Sequence, residues 1–120
     1  MDEILQLATK LGTQIGNDPK GKLMAEARAQ LERSLADRQL LADYEASQQK
    51  LHTLEASGKP IEPDDKRRYS DLHGKVISSP VIKSLLKAQA DYMELMTVVS
   101  QTIEDAAMDV MEGVGETPKR

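Results

Sequence analysis

The sequence predicts an all-α fold: an elongated helical bundle of about four helices, two of them long, that forms a dimer. The 120 residues include three Tyr and no Phe or Trp, so the core must be built from aliphatic, Met and Ala side chains. Such cores suit interlocking helices better than sandwiches or barrels. Helix start signals divide the chain, and a three–four repeat of apolar residues fills its last third. With 39% hydrophobic and 30% charged residues, the composition is that of one ordinary domain, which we place at residues 1–112.

The first two helices are predicted from capping residues and spacing. Asp2 can cap a first helix in which Ile4, Ala8, Leu11 and Ile15 share one face. Gly16, Asn17 and Asp18 end that helix. Asp18–Pro19 is a favourable N-cap and first-turn pair, but Gly21 weakens the turn, so we expect the second helix to begin at about Lys22.

The second helix is predicted to run to about Ala56. Its apolar stripe changes phase between Leu35 and Leu41, which predicts a bend or a change of packing partner near Asp37. The segment 57–63, with one Gly and two Pro, is the clearest loop. A short third helix is predicted from about Asp64 to Ile77, and Ser79–Pro80 provides the N-cap and first turn of the last helix.

The last helix, predicted at Pro80–Glu112, carries the strongest signal. Apolar residues recur at alternating steps of three and four, the spacing of left-handed helix packing, and Gln89 is the strongly polar exception. At ~1.5 Å per residue the helix would be ~50 Å long, more than a compact domain of this size can cover. We therefore predict that it pairs with a second copy. The candidate dimer seam comprises Ile82, Leu85, Gln89, Tyr92, Met96, Val99 and Ile103.

Charge is unevenly distributed along the chain, whose net charge is −4. The far end of the last helix is acidic, although the helix dipole disfavours negative charge at a C-terminus. We hypothesise that this patch meets a basic partner surface, the alternative being a solvated face that aids solubility. Its members are Glu104, Asp105, Asp109 and Glu112. Residues 113–120 are predicted to be a flexible tail.

Several function classes find no support in the sequence. The absence of cysteine excludes disulfides, thiolate metal sites and a cysteine nucleophile in this chain. No signal peptide or membrane-spanning run is visible, so a cytoplasmic location is expected. His52, His73, Asp64 and Asp65 are better explained as surface or helix-start residues than as metal ligands. We predict no catalytic, cofactor-binding or metal-binding residues and no small-molecule substrate.

Order and spacing along residues 2–112 resemble the YlbF/YmcA family of small helical bacterial proteins. The matching positions are the first helix, the run Ala27–Arg28, Leu31, Asp37, Leu41, Tyr44 and Gln48, the short helix, and Ser79–Pro80–Val81 with Gln89 and Tyr92. The resemblance implies a dimeric regulator linked to competence, sporulation and biofilm formation. It also implies complexes with sister family proteins and with ribonuclease Y, which influence RNA processing.

One feature of some family members is absent from this chain, and two alternative functions stay open. Some family members carry a cysteine-bearing C-terminal tail implicated in iron–sulfur binding, but this chain has no cysteine there, so that cofactor is not expected. We therefore predict a non-enzymatic regulatory adaptor that acts through protein–protein contacts. The first alternative is an RNA-associated module using Arg67 and Arg68, which the acidic net charge disfavours. The second is a helical chaperone or secretion-accessory protein.

Overall fold

A computed structural model describes residues 1–115, and these residues contain five α-helices and no strand. The all-α prediction is confirmed, while the predicted count of about four helices is wrong by one. Dimer formation stays a prediction. The helices, in chain order, are α1 (Asp2–Asn17), α2 (Pro19–Glu32), α3 (Leu35–Ala56), α4 (Pro63–Ser78) and α5 (Pro80–Gly115).

The extra helix arises because the predicted second helix is divided at Arg33–Ser34. Ser34 is the N-cap of α3: its Oγ accepts a hydrogen bond from the Asp37 backbone N–H at 3.2 Å and donates one to the Asp37 carboxylate at 2.7 Å. This is a variant of the capping box, in which the residue three positions after the cap interacts with it in return. The phase change that the sequence shows near Asp37 therefore marks a new helix start rather than a bend.

The corner between α1 and α2 also differs from expectation. Asp18 ends α1 and caps α2, and its carboxylate accepts from the Lys20 backbone N–H at 2.9 Å. As a result α2 begins at Pro19, not at Lys22, and Gly21 is buried inside its first turn. At the other end of α1, Met1 occupies the N-cap position and Asp2 is already helical, so the predicted Asp2 cap is wrong.

The last two helices lie close to their predicted positions. α4 extends one residue beyond the prediction at each end. Ser79 is the N-cap of α5, as predicted: its Oγ accepts a hydrogen bond from the Ile82 backbone N–H at 3.2 Å. α5 continues to Gly115, three residues beyond its predicted end at Glu112. The flexible tail at residues 113–120 stays a prediction, and residues 116–120 lie outside the described residues.

Helix packing divides the chain into two layers. α2 packs along the first part of α5, and α3 packs against α4. Met24 and Ala27 from α2 meet Leu85 and Ala88 from α5 in the buried core, with Leu31, Leu41 and Tyr92 beside them. The hydroxyl of Ser79 donates to the Asp37 carboxylate at 2.8 Å and brings the start of α3 to the start of α5. Because α2 ends where α3 begins, the last turn of α2 lies near the first turn of α5. α2 therefore runs antiparallel to α5.

The described chain is elongated and exposes much surface. Its radius of gyration is 21.1 Å and its extents are 66 × 39 × 26 Å, whereas a compact chain of this length has a radius of gyration of ~14 Å. The accessible surface is 9448 Å², which is ~3,000 Å² more than a compact monomer of this mass exposes. None of the helices in residues 1–115 is both long and apolar enough to span a membrane.

Candidate interaction surface on the free half of α5

The candidate dimer seam is divided by α2 into a covered part and a free part. Ile82 is 0% and Leu85 is 3% exposed within a single chain, because α2 and α4 pack on this end of α5. Ile103, at the other end, is 55% exposed. The four seam residues between these ends are half-buried: Gln89, Tyr92, Met96 and Val99.

The free part results from a mismatch in helix length. α2 has 14 residues and α5 has 36, so α2 cannot cover more than the first ~21 Å of a helix that is ~54 Å long. Every residue from 100 to 114 is exposed. We use the name distal stripe for the apolar positions that continue the seam beyond Tyr92: the half-buried Met96 and Val99, and the exposed Ile103, Ala106 and Val110.

Gln89 lies beside the core rather than within it. The neighbouring Ala88 is buried in the cluster with Met24 and Ala27, while Gln89 itself is half-buried. The small Ala side chain lets α2 approach α5 closely at this level. Gln89 therefore lies at the rim of the face on which α2 and α5 pack.

All four residues of the acidic patch are exposed. Asp105 accepts a hydrogen bond from Gln101 Nε2 at 2.9 Å, one turn earlier on the same helix. The last turn of α5 contains no basic residue, and the ion pairs within residues 1–115 are Lys50–Asp65 and Arg67–Asp64. The negative charge therefore faces solvent at the end of the helix where the dipole disfavours it.

A second free apolar face lies on α1. This helix packs against α2 and against no other described helix, and it contains no buried residue. Ile4, Leu5 and Leu7 are each more than half exposed. Periodicity predicted that Ile4, Ala8, Leu11 and Ile15 share one face of α1. It did not show that Leu11 and Ile15 would be half-buried and Ile4 and Ala8 exposed, because periodicity does not reveal which partner buries a stripe.

An aromatic cluster between α3 and α4 was not predicted from the sequence. The Tyr44 hydroxyl lies 3.1 Å from the Tyr69 hydroxyl and 3.1 Å from His73 Nδ1, and it accepts from Gln48 Nε2 at 3.3 Å. The three rings lie side by side, with centroids 5.4 to 6.0 Å apart. The four-residue spacing of Tyr69 and His73 on α4 was the available signal. His73 is exposed, as expected, but it also contacts α3.

The two tyrosines of this cluster differ in acidity. The hydrogen bond to Tyr69 is the largest cause that raises the pKa of Tyr44 to about 12, with desolvation and the charge of a Tyr69 phenolate adding to it. The same hydrogen bond lowers the pKa of Tyr69, and Gln48 acts in the same direction. Tyr69 is therefore the first of the pair to ionise, and the Tyr44 hydroxyl, which keeps its proton, donates a hydrogen bond to the Tyr69 phenolate.

The two aspartates at the start of α4, Asp64 and Asp65, take part in ion pairs. Asp65 pairs with Lys50 at 2.8 Å and Asp64 pairs with Arg67 at 3.2 Å, both at the surface. Within residues 1–115, no three His, Asp or Glu side chains gather as a metal site would require. The RNA alternative depends on the positive charges of Arg67 and Arg68. The ion pair of Arg67 with Asp64 offsets one of these two charges.

Comparison with known proteins places this geometry in a family. A solved protein of unknown function (DUF964) from Bacillus stearothermophilus has the same fold, with a TM-score of 0.62, 15% identity, and coverage of 98% of this chain and 99% of that chain. A UPF0342 protein of Desulfitobacterium hafniense (strain Y51) is 24% identical over 116 residues, which span 94% of this chain and 86% of that protein. The family model described as control of competence regulator ComK, YlbF/YmcA, matches residues 4–107. This match covers most of the chain, and the chain therefore belongs to the YlbF/YmcA family.

Proposed function

We propose that this protein is a non-enzymatic regulatory adaptor that acts through protein–protein contacts as a homodimer. The family description, control of a competence regulator, supports a regulatory role. The observation that carries the proposal is the distal stripe, in which Ile103, Ala106 and Val110 are exposed while Met96 and Val99 are half-buried. Soluble monomers rarely expose such continuous faces, and those that persist mark interaction sites.

The amount of excess surface supports a protein partner. A stable protein–protein interface buries ~800 Å² on each partner. The ~3,000 Å² by which this chain exceeds a compact monomer is enough for a second copy and for a further protein. Exposed apolar side chains of the distal stripe and of α1 contribute to this excess accessible surface.

The acidic patch suggests the chemistry of the contact. Four carboxylates at the end of α5 create a negative potential that favours a basic protein surface. By family resemblance, the further proteins we propose are sister family members and ribonuclease Y, in the cytoplasm. The helical surface would position these proteins relative to one another, with the chemistry of RNA processing supplied by the nuclease.

The proposal is tested by binding measurements with purified ribonuclease Y and sister proteins of the native host. We expect the triple variant Asp105→Lys, Asp109→Lys, Glu112→Lys to bind more weakly than the original chain and to lose much of the salt dependence. The matched control makes the same charge change at exposed acids elsewhere: Glu26→Lys, Glu45→Lys and Glu55→Lys. If affinity and its salt dependence are the same in both variants, the acidic patch is not the contact. If the original chain binds neither itself nor these proteins, the adaptor proposal fails.

A further inference from the structure

We infer that two copies of α5 pair antiparallel through residues 92–110, with Val99 opposite Ile103 of the second copy. This inference rests on the proposed homodimer and adds its direction, its register and the counterpart of the acidic patch. In the same register Met96 faces Ala106 of the second copy and Tyr92 faces Val110. The paired segment is ~27 Å long.

The position of α2 determines which part of α5 can take part. Because α2 runs antiparallel to α5 and covers its beginning, Ile82, Leu85 and Ala88 are buried within one chain. Tyr92, which is half-buried beside this cluster, is the first apolar residue of the seam with surface left for a second copy. The segment 92–110 contains the whole distal stripe, so every layer of the proposed pairing is apolar.

The distribution of charge favours the antiparallel direction. Residues 95–103 carry no charged side chain, whereas residues 104–112 carry four acids and no base. A parallel pair would place the four acids of one copy beside the same four acids of the other, and like charges at close range oppose association. In the antiparallel register the acids fall opposite uncharged residues of the second copy: Glu104 opposite Val98, Asp105 opposite Thr97, Asp109 opposite Met93 and Glu112 opposite Ala90. Asp91 and Glu94 of the second copy lie one position from the last two, so this direction reduces the like-charge contacts from four acids to two and does not remove them.

The same direction supplies basic groups for the acidic patch. α2 begins at Pro19, and its residue Ala27 lies in the same buried cluster as Ala88 of α5. Because α2 runs antiparallel to α5, the first turn of α2 lies nearer to the C-terminal end of α5 than Ala88 does, at about the level of Tyr92. Pairing Tyr92 with Val110 brings Lys20 and Lys22 to the level of Asp109 and Glu112 of the second copy. The positive end of the α2 dipole lies there as well. Two-fold symmetry repeats this arrangement at the other end of the pair.

Single-cysteine cross-linking distinguishes the two directions, since the native chain contains no cysteine. We use Met96→Cys and Ala106→Cys, separately and mixed, under a mild oxidant, after circular dichroism has confirmed the helical content of each variant. In the antiparallel pair, two copies of Cys at either position would lie ~15 Å apart along the axis. That separation exceeds the ~7 Å that a disulfide tolerates between Cα atoms. The expected result is a disulfide in the mixture and little in either variant alone.

The opposite pattern overturns the inference. A parallel pair would cross-link each variant alone and would form no mixed disulfide, which would leave the proposed homodimer intact but reverse its direction. Mixing Ser70→Cys, an exposed position on α4, with Met96→Cys measures random collision and should give no product. A protein that is monomeric by light scattering and forms no disulfide would contradict the proposed homodimer itself.

A charge exchange tests the register independently. Asp109→Lys with Glu112→Lys should raise the dissociation constant of the dimer by about tenfold, since the loss is repeated at both ends. Adding Lys20→Glu and Lys22→Glu to the same chain should recover most of that affinity. Failure of the second pair to restore the affinity would show that these lysines are not the counterpart of the acidic patch.

Discussion

The hydroxyl of Ser79 donates a 2.8 Å hydrogen bond to the carboxylate of Asp37, although 42 positions separate the two residues in the sequence. The other carboxylate oxygen of Asp37 accepts from Ser34, and Ser79 also caps α5. One carboxylate therefore joins the beginnings of α3 and α5, and it sets the antiparallel direction of α2 along α5. The free length of α5 is a consequence of this junction.

The first prediction concerns that junction. Asp37→Ala removes the acceptor of both hydroxyls, and hydrogen bonds to a charged group stabilise by about 1.5–3 kcal/mol each. Both bonds are only partly buried, so we expect the free energy of unfolding, measured with urea, to fall by about 3 kcal/mol, the lower end of the sum for two such bonds. Asp71→Ala, at an exposed position of α4, serves as the control and should change it by less than about 0.5 kcal/mol.

A double-mutant cycle isolates the contact between the two helices. Asp37→Ala combined with Ser79→Ala should be less destabilising than the sum of the single variants, with a coupling energy of about 1–2 kcal/mol. Additive effects of the two substitutions would show that the hydrogen bond does not contribute to stability.

The second prediction concerns the corner of α1 and α2. A Cβ added at Gly21 would lie 2.3 Å from the carbonyl oxygen of Ile15 and 3.0 Å from that of Gly16, both backbone atoms. Gly21→Ala should therefore destabilise the protein by about 1–3 kcal/mol, and it should increase hydrogen exchange throughout α1. Alanine is the better helix former, so propensity alone predicts the opposite sign.

Gly74→Ala is the matched control for this substitution. Gly74 also lies inside a helix, but a Cβ there meets no atom within 4 Å. The control should stabilise the protein by about 0.5–1 kcal/mol, as expected for an unhindered helical glycine. If the two variants behave alike, the close approach at Gly21 does not determine the corner.

The third prediction concerns the pH dependence of the tyrosine pair. Because the pKa of Tyr44 is raised from 10.0 to about 12, the folded state keeps this proton while the unfolded chain loses it. The contribution of Tyr44 to stability is thus complete below pH 10 and is lost as the pH rises toward 12. The pKa of Tyr69 is lowered, so its contribution to stability has the opposite pH dependence. This contribution is present above the unfolded pKa of Tyr69 and is lost as the pH falls through the folded pKa.

Ultraviolet absorbance of tyrosinate measures this behaviour directly. In the native protein we expect Tyr69 to ionise at lower pH and Tyr44 to ionise at higher pH than an ordinary tyrosine. Tyr44→Phe should remove the late step and return Tyr69 toward an ordinary pKa, because the donor that stabilises its phenolate is gone. A titration curve that Tyr44→Phe changes only in amplitude would contradict the coupling.

Much of this fold was predictable from short-range signals. Pro80, preceded by the capping residue Ser79, marks a helix start that the structure confirms. The pair Asp18–Pro19 is identified as a cap and first turn, but the weight given to Gly21 places the start of the second helix three residues too late, at Lys22. The start of α3 is not predicted because the phase change of the apolar stripe near Asp37 is equally typical of a bend within one helix. The cap is made by Ser34 and Asp37, and Asp37 also accepts from Ser79, 42 positions away. Such a contact leaves no trace in local periodicity.

The candidate surface was predictable in outline but not in extent. The three–four repeat of α5 identified one continuous seam, yet it could not show that α2 takes the first part and leaves the rest. That division depends on the length of α2 and on its direction, both of which follow from the breaks at Asp18 and Ser34. The Tyr44–Tyr69–His73 cluster likewise depends on how α4 packs on α3, which the sequence pattern does not specify.

The central claim is that the distal stripe holds two copies together, and the most direct test is the mass of the purified protein in solution by light scattering. We expect twice the mass of one chain at micromolar concentration. Ile103→Asn should shift the protein to a single chain. Val98→Asn, on the same helix and similarly exposed at 59% against 55%, lies off the stripe and should leave the dimer intact. A monomeric original chain, or equal masses for the two variants, would contradict the claim.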